Sequence, residues 1–166
     1  MKSRLTLGIA CVFGLCLLAS GVHAHHSVES TFDTSKAIVL KGSVDRAIWI
    51  NPHAYLLINV EGPNGATEPW AVELAPPNSL IRAGFDLRTL RTGGQITVSG
   101  FAPKPGVTVN GPAVPPAYEK SELAPLLRAL SERKKTNRVI HPQQLTLPDG
   151  RTIEATVGGP RWSGQW

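Results

Sequence analysis

Residues 38–50 read IVLKGSVDRAIWI. Ile38, Leu40, Gly42, Val44, Arg46, Ile48 and Ile50 fall on one side of this run, and Lys41, Ser43, Asp45 and Asn51 on the other. Alternation with a period of two marks a half-buried strand, because successive side chains of an extended chain point to opposite faces. Arg46 interrupts the apolar side, which predicts a β-bulge near it. Gly42 has no side chain to pack and is where such a strand can bend around a small barrel.

Working outward, Pro52 ends the first strand. A second follows with Ala54, Leu56, Ile58 and Val60 on one face and Tyr55, Leu57 and Asn59 on the other. Gly62-Pro63-Asn64-Gly65 forces a turn, and a third strand over 70–74 carries Trp70, Val72 and Leu74 on one side. Asn78 is the expected N-cap of a short helix bearing Leu80 and Ile81 and stopping at Gly84; Asp86 is expected to cap a further turn ending near Gly93. Residues 95–102 alternate again, with Ile96, Val98 and Gly100 against Thr97, Ser99 and Phe101. Three strands, a helical connection and a fourth strand predict a mainly β protein built as a small OB-like antiparallel barrel, with a β-sandwich as the alternative. The pattern requires Ile38, Leu40, Val44, Ile48, Leu56, Ile58, Val60, Val72, Ile96 and Val98 to share one core.

Residues 103–118 hold five prolines and two glycines, so a Pro/Gly-rich insertion is expected over about 103–120. A helix is expected over about 121–135, capped by Ser121, with Pro125 tolerated in its first turn. Its Leu123, Leu126, Leu127 and Leu130 recur on one face, which must cover the barrel or a partner. Leu145-Thr146-Leu147, the turn Pro148-Asp149-Gly150 and a return over 151–157 form a hairpin supplying the fifth strand. Residues 158–166, with three glycines and a proline, are expected to be a frayed tail.

The start of the chain has the parts of a secretory signal: Lys2 and Arg4, an apolar run over 5–18, and Val22-His23-Ala24 as the cleavage site. At 14 residues the run falls short of the ~20 a spanning helix needs. The expectation is a signal peptide over 1–24, a periplasmic or secreted product with no membrane segment after cleavage, and one domain over 25–166. Both cysteines, Cys11 and Cys16, lie in the leader, so the mature chain depends on its apolar core and not on a disulfide. Removing Lys2 and Arg4 lowers the net charge from +5 to +3. The run Arg133, Lys134, Lys135 and Arg138 reads as a solvated helix end, and a nucleic-acid partner is not expected.

Cleavage after Ala24 makes His25 the first residue. Its α-amine and imidazole can then chelate one metal ion in a small ring, with His26 beside them. Copper is the ion such nitrogens suit best. His53 follows Asn51-Pro52 at the mouth between the first two strands and is the third candidate ligand, with zinc the other ion an all-nitrogen set accepts. His141, before Pro142, is a weaker fourth candidate, read as a surface-loop residue. Trp49, Asn51, Tyr55, Trp70 and Glu73 are candidate ligand-binding residues: the aromatics as a floor for a flat ligand, Glu73 as an orienting partner for an imidazole.

Several of these segments together, His25-His26-Ser27, Phe32-Asp33, Lys41-Gly42, Trp49 with Asn51-Pro52-His53, Trp70-Ala71-Val72-Glu73, Pro77-Asn78 and Leu147-Pro148-Asp149-Gly150, form an ordered set. The chain resembles a family of small exported bacterial proteins classed as a domain of unknown function, whose members begin with Ala-His-His-Ser after the leader. The resemblance covers about 24–102 and 145–153. It implies export, a compact β-rich domain and no assigned activity, with His25, His26, Asn51, His53, Trp70 and Glu73 at motif positions. The stretch from about 107 to 137 is an insertion relative to shorter members.

No serine stands in a nucleophile elbow, no glycine-rich phosphate loop is present, and no paired carboxylates share a helix face, so enzyme activity is not expected. The sequence reading is an exported binding protein holding copper or another transition metal, or a small ligand. The competing reading is an envelope adaptor that contacts another protein through the leucine face.

Overall fold

The computed structural model describes residues 28–83, 85, 90–109, 114–156 and 159–163; of 155, 156 and 159–163 it describes the backbone alone. The leader, His25, His26, the stop at Gly84 and the turn from Asp86 lie outside these residues. The chain is mainly β. A one-turn helix α1 (Val28–Thr31) leads into β1 (Phe32–Ile48), β2 (Tyr55–Glu61) and β3 (Thr67–Glu73). Then come α2 (Pro77–Arg82), β4 (Gln95–Pro103), a 3-10 turn (Pro116–Tyr118), α3 (Ala124–Lys135), β5 (Val139–Thr146), β6 (Thr152–Thr156) and β7 (Gly159–Ser163). Among the described residues no helix is long and apolar enough to cross a membrane.

The strand order is β3-β2-β1-β4-β5-β6-β7, antiparallel throughout, with an added parallel pairing of β3 and β5 at Ala71 with Val139 and Val72 with Ile140. The bulge expected near Arg46 is present: the β1–β2 register shifts between Val44 and Arg46, leaving Asp45 as the extra residue. Gly42 pairs with both Val60 and Ile96, and a Cβ there would collide with the Asn59 carbonyl oxygen. A side chain cannot fit where the strands come this close.

The bulge changes the expected core. Before it, Ile38, Leu40 and Val44 belong to an inner cluster with Leu56, Ile58, Val72, Ile96, Val98, Ile140 and Leu145. After the extra residue the parity inverts: Ala47 and Trp49 turn inward, and Ile48 and Ile50 turn outward. Ile48 therefore belongs not to the single core expected but to a second cluster with Phe32, Tyr55, Leu57, Ala71, Val139, Leu127 and Leu130. A one-residue slip moves every later side chain to the other face.

The leucine face of α3 covers that second cluster. Leu127 and Leu130 are fully buried, and Leu123 and Leu126 pack beside them. The face offered to a partner in the adaptor reading is thus occupied by the chain's own sheet. Ser121 does not cap α3; it forms the preceding turn, its hydroxyl bonding the Tyr118 carbonyl at 2.8 Å, and the helix starts at Ala124 with Pro125 in its first turn. Asn78 likewise lies inside α2, whose first turn bonds to the Pro76 carbonyl. At the other end of α3, Asn137 (φ 55°) adopts the left-handed conformation, with Arg138 N–H on the Arg133 carbonyl (2.8 Å) and Asn137 N–H on that of Lys134 (3.1 Å). This Schellman motif stops the helix, and the next carbonyl, that of Arg138, accepts from Ala71 N–H at 2.9 Å, starting β5 alongside β3.

Two further expectations are corrected. The strand after α3 begins at Val139, ahead of the expected Leu145, and it includes His141, so His141 is not a loop residue. The segment expected to fray contains β7, which pairs with β6 from Thr152–Ser163 to Thr156–Gly159.

Candidate functional site

The outer face carries a row of polar residues at the rim of the second cluster. Tyr55 on β2 stands directly opposite Glu73 on β3. The parallel register Ala71–Val139 and Val72–Ile140, carried one residue on, sets His141 on β5 level with Glu73, and His141 in turn pairs with Phe101 on β4. Ala71 and Val139 both face the second cluster, so Glu73 and His141, two residues later, share their face. The row Tyr55, Glu73, His141, Phe101 thus runs across four strands.

His53 joins the row from the end of the β1–β2 loop. Its Nε2 lies 3.9 Å from Glu73 Oε1, and its Nδ1 lies 3.3 Å from the Leu74 carbonyl oxygen. A carbonyl can only accept, so the proton of this bond sits on Nδ1; in the neutral ring this leaves the lone pair on Nε2. The neighbouring Ala54 and Leu74 hold the loop to β3 through Leu74 N–H on the Ala54 carbonyl at 2.8 Å.

Lys134 reaches the row from α3. Its side chain is buried, Nζ donates to the Tyr55 hydroxyl at 3.0 Å, and the ammonium lies 4.6 Å from the Tyr55 ring centroid. Burial pushes the Tyr55 hydroxyl pKa up, with the Glu73 carboxylate adding to the effect. Burial lowers that of Lys134 against the opposing pull of Glu73. Burial also lowers His141, where Glu73 raises it and His53 lowers it further. His141 packs its ring on Phe32, centroids 5.3 Å apart. The adjacent Arg133 pairs with Asp45 at 3.3 Å and ties the helix end to the bulge.

Of the candidates expected from sequence, His53, Tyr55 and Glu73 come together here. Trp49 and Trp70 do not join them: both pack on the inner cluster, while Tyr55 faces the other way. Trp49 stacks at a tilt on Phe85, centroids 5.9 Å apart, and its buried indole N–H has no hydrogen-bond partner among the described residues. Trp70 donates to Glu68 at 3.4 Å, and Asn51 is exposed. An aromatic floor made jointly of Trp49, Tyr55 and Trp70 is therefore not formed. Among the described residues no three His, Cys, Asp or Glu side chains are grouped to hold a metal ion by themselves. Lys134, expected in a solvated run, is instead buried here; its place four residues beyond Leu130 on the buried side of the helix is the signal in the sequence.

This is a mainly β domain with a histidine and carboxylate row on its outer face. The chain belongs to a family of unknown function, DUF6152, whose model matches residues 14–111. The match contains His53, Tyr55 and Glu73 and ends before α3, so Lys134 and His141 lie beyond it. No curated protein and no solved structure matches the chain.

Proposed function

We propose that the protein is exported, loses residues 1–24, and works in the periplasm as a binding protein for a transition-metal ion, copper(II) before zinc, held by the His25 amine and imidazole, His26 and His53. The observation that carries this reading is the setting of His53: Nδ1–H is engaged by the Leu74 carbonyl, so that in the neutral ring Nε2 is the lone-pair donor, and it stands beside the Glu73 carboxylate. An imidazole oriented by a backbone carbonyl is the form in which histidine binds metals. His25 stands three residues before Val28, which packs on the second cluster, and three extended residues reach about 10 Å.

The framework for this site is an OB-like barrel. The pairings β1–β2, β2–β3, β3–β5, β5–β4 and β4–β1 return to their starting strand, and the inner cluster fills such a ring. We assign the protein no catalytic role.

The test is copper(II) titration of the mature chain against the same chain with one added N-terminal glycine. The added residue moves the amine away from the His25 imidazole while keeping every imidazole and the charge. The mature chain should bind one ion more tightly, and intact mass of exported protein should give a start at His25. Equal affinity of the two forms, or a different start, would overturn the reading.

A further inference from the structure

We propose that the protein forms a weak, reversible homodimer by pairing the open edge of β1 with the same edge of a second copy, antiparallel about a two-fold axis at Ile38.

The open edge follows from the topology. β1 keeps β4 beside it from Ala37 to Ser43, but β2 stops at Glu61, and the last β1–β2 pair is Gly42 with Val60. Parity decides which main-chain groups face the gap. Val44 N–H donates to the Gly94 carbonyl at 2.9 Å and its carbonyl accepts from Gly93 N–H at 2.7 Å, both on the β4 side. The β1–β4 register runs unbroken from Ala37 to Ser43. Gly42, Leu40 and Ile38 therefore also point their N–H and C=O groups to β4, and Lys41, Val39 and Ala37 point theirs away. Among the described residues no strand pairs with that side of Ala37 or Val39. Val39 is also 60% exposed, a large apolar side chain left in water. A row of unpaired N–H and C=O groups is a template for another strand.

The edge fits a second copy of itself. With Ile38 opposite Ile38, the Ala37 and Val39 of one chain stand opposite the Val39 and Ala37 of the other, and each of these pairs exchanges both of its N–H to O=C bonds. On the outer face Val39 then covers the second copy's Ala37, while Ile38 and Leu40 keep their places against the inner cluster. Lys41 comes to the segment that holds Asp33 of the second copy, and Lys36 faces Leu40 and not another lysine, so opposite charges meet and like charges do not. The pairing also stops by itself. Ser35 N–H is already bonded to Asp33 Oδ1 at 3.1 Å, and β2 lies beside Gly42. The contact thus closes on two copies and cannot grow into a filament. It takes only a few residues from each chain, which sets it at the weak end of protein pairs.

The experiment is sedimentation of the purified protein and its Val39→Lys variant from about 10 μM to about 1 mM, with amide hydrogen exchange at both ends of the range and circular dichroism to check folding. Sedimentation should move from monomer to dimer as concentration rises. The Ala37 and Val39 amides should exchange fast when dilute and several-fold more slowly when concentrated, whereas those of Ile38 and Leu40, turned to β4, stay slow throughout. Val39→Lys brings two lysines together across the axis and should weaken the dimer about tenfold or more. The exchange comparison uses unmodified protein and stands even if the variant does not fold. A monomer across the whole range would overturn the proposal. So would a dimer whose Ala37 and Val39 amides stay fast, or one that a folded Val39→Lys variant leaves unchanged. Protection of both amides at every concentration would also overturn it, and would assign the edge to another segment of the same chain.

Discussion

The inner and outer clusters differ in how the chain builds them and in what they carry. The inner one is almost purely aliphatic and takes alternate residues from β1, β2, β3, β4 and β5, with Leu80 of α2 and Phe85 covering it. The outer one takes Tyr55, Leu57, Ala71 and Val139 from the other face of the sheet, gains Ile48 and Ile50 through the bulge at Asp45, and is covered by α3. Titratable groups gather along the edge of the outer cluster, where Tyr55, Glu73, His141 and Lys134 are partly or wholly withdrawn from water. The interior is thus a scaffold, and the helix-covered face is where charge can be held in a shaped, partly dry setting.

The sharpest break between the two comes from matched truncations. Leu56 (0% exposed) lies on a strand within the inner cluster, whereas Leu127 (2% exposed) lies on α3, the single helix that covers the outer one. Leu→Ala in a core costs about 2–5 kcal/mol, and the cost depends on how far the surroundings can close the cavity. Leu56→Ala is expected at the upper end of that range and Leu127→Ala at the lower, because α3 can settle toward the sheet. Urea unfolding of each variant, read by tryptophan fluorescence, measures both. Equal costs would mean that α3 is held as rigidly as the strands.

Next in size is the buried contact that ties α3 to the polar row. Tyr55→Phe removes the oxygen that accepts from Lys134 Nζ and leaves a buried ammonium without that bond, at about 1–3 kcal/mol. Lys134→Met keeps the length and apolar stem while removing the charge, and it should cost less than Tyr55→Phe. The double variant should be more stable than Tyr55→Phe alone. Simple addition of the two single costs, seen in the same unfolding experiment, would show that the lysine escapes to water when its partner is lost.

The same contrast explains what was legible in the sequence. Period two identified the strands that build the inner cluster, and Arg46 and Gly42 gave away the bulge and the close approach, because each breaks a pattern that packing imposes. Ile48 was misplaced because alternation was carried through the bulge, whose parity change cannot be counted without the partner strand. His53 and Glu73 stood out as residue types. Lys134 and His141 did not, since their roles depend on α3 folding back and on a parallel β3–β5 register that links residues some seventy positions apart. The tail over 158–166 was misread because its glycines and proline hide a strand that the β6 backbone pairs with.

The smallest effect expected is a pH dependence at His141, and it tests whether the outer row is as withdrawn from water as its geometry indicates. Burial lowers the His141 pKa below its ordinary 6.5 in the folded chain, despite the attraction of Glu73. Between that lowered value and 6.5 the unfolded chain binds more protons than the folded one, so stability rises with pH across this window. The contribution is complete above 6.5 and is lost as pH falls through the folded-state value. Metal-free protein should therefore become less stable on acidification from pH 7 toward 5, and His141→Gln should have a flatter profile over the same interval. Denaturant midpoints taken every half pH unit for both proteins would measure the difference. Parallel profiles would place His141 in contact with water, which the Phe32 ring packed upon it argues against, and would reduce the outer row to a solvated edge of the sheet.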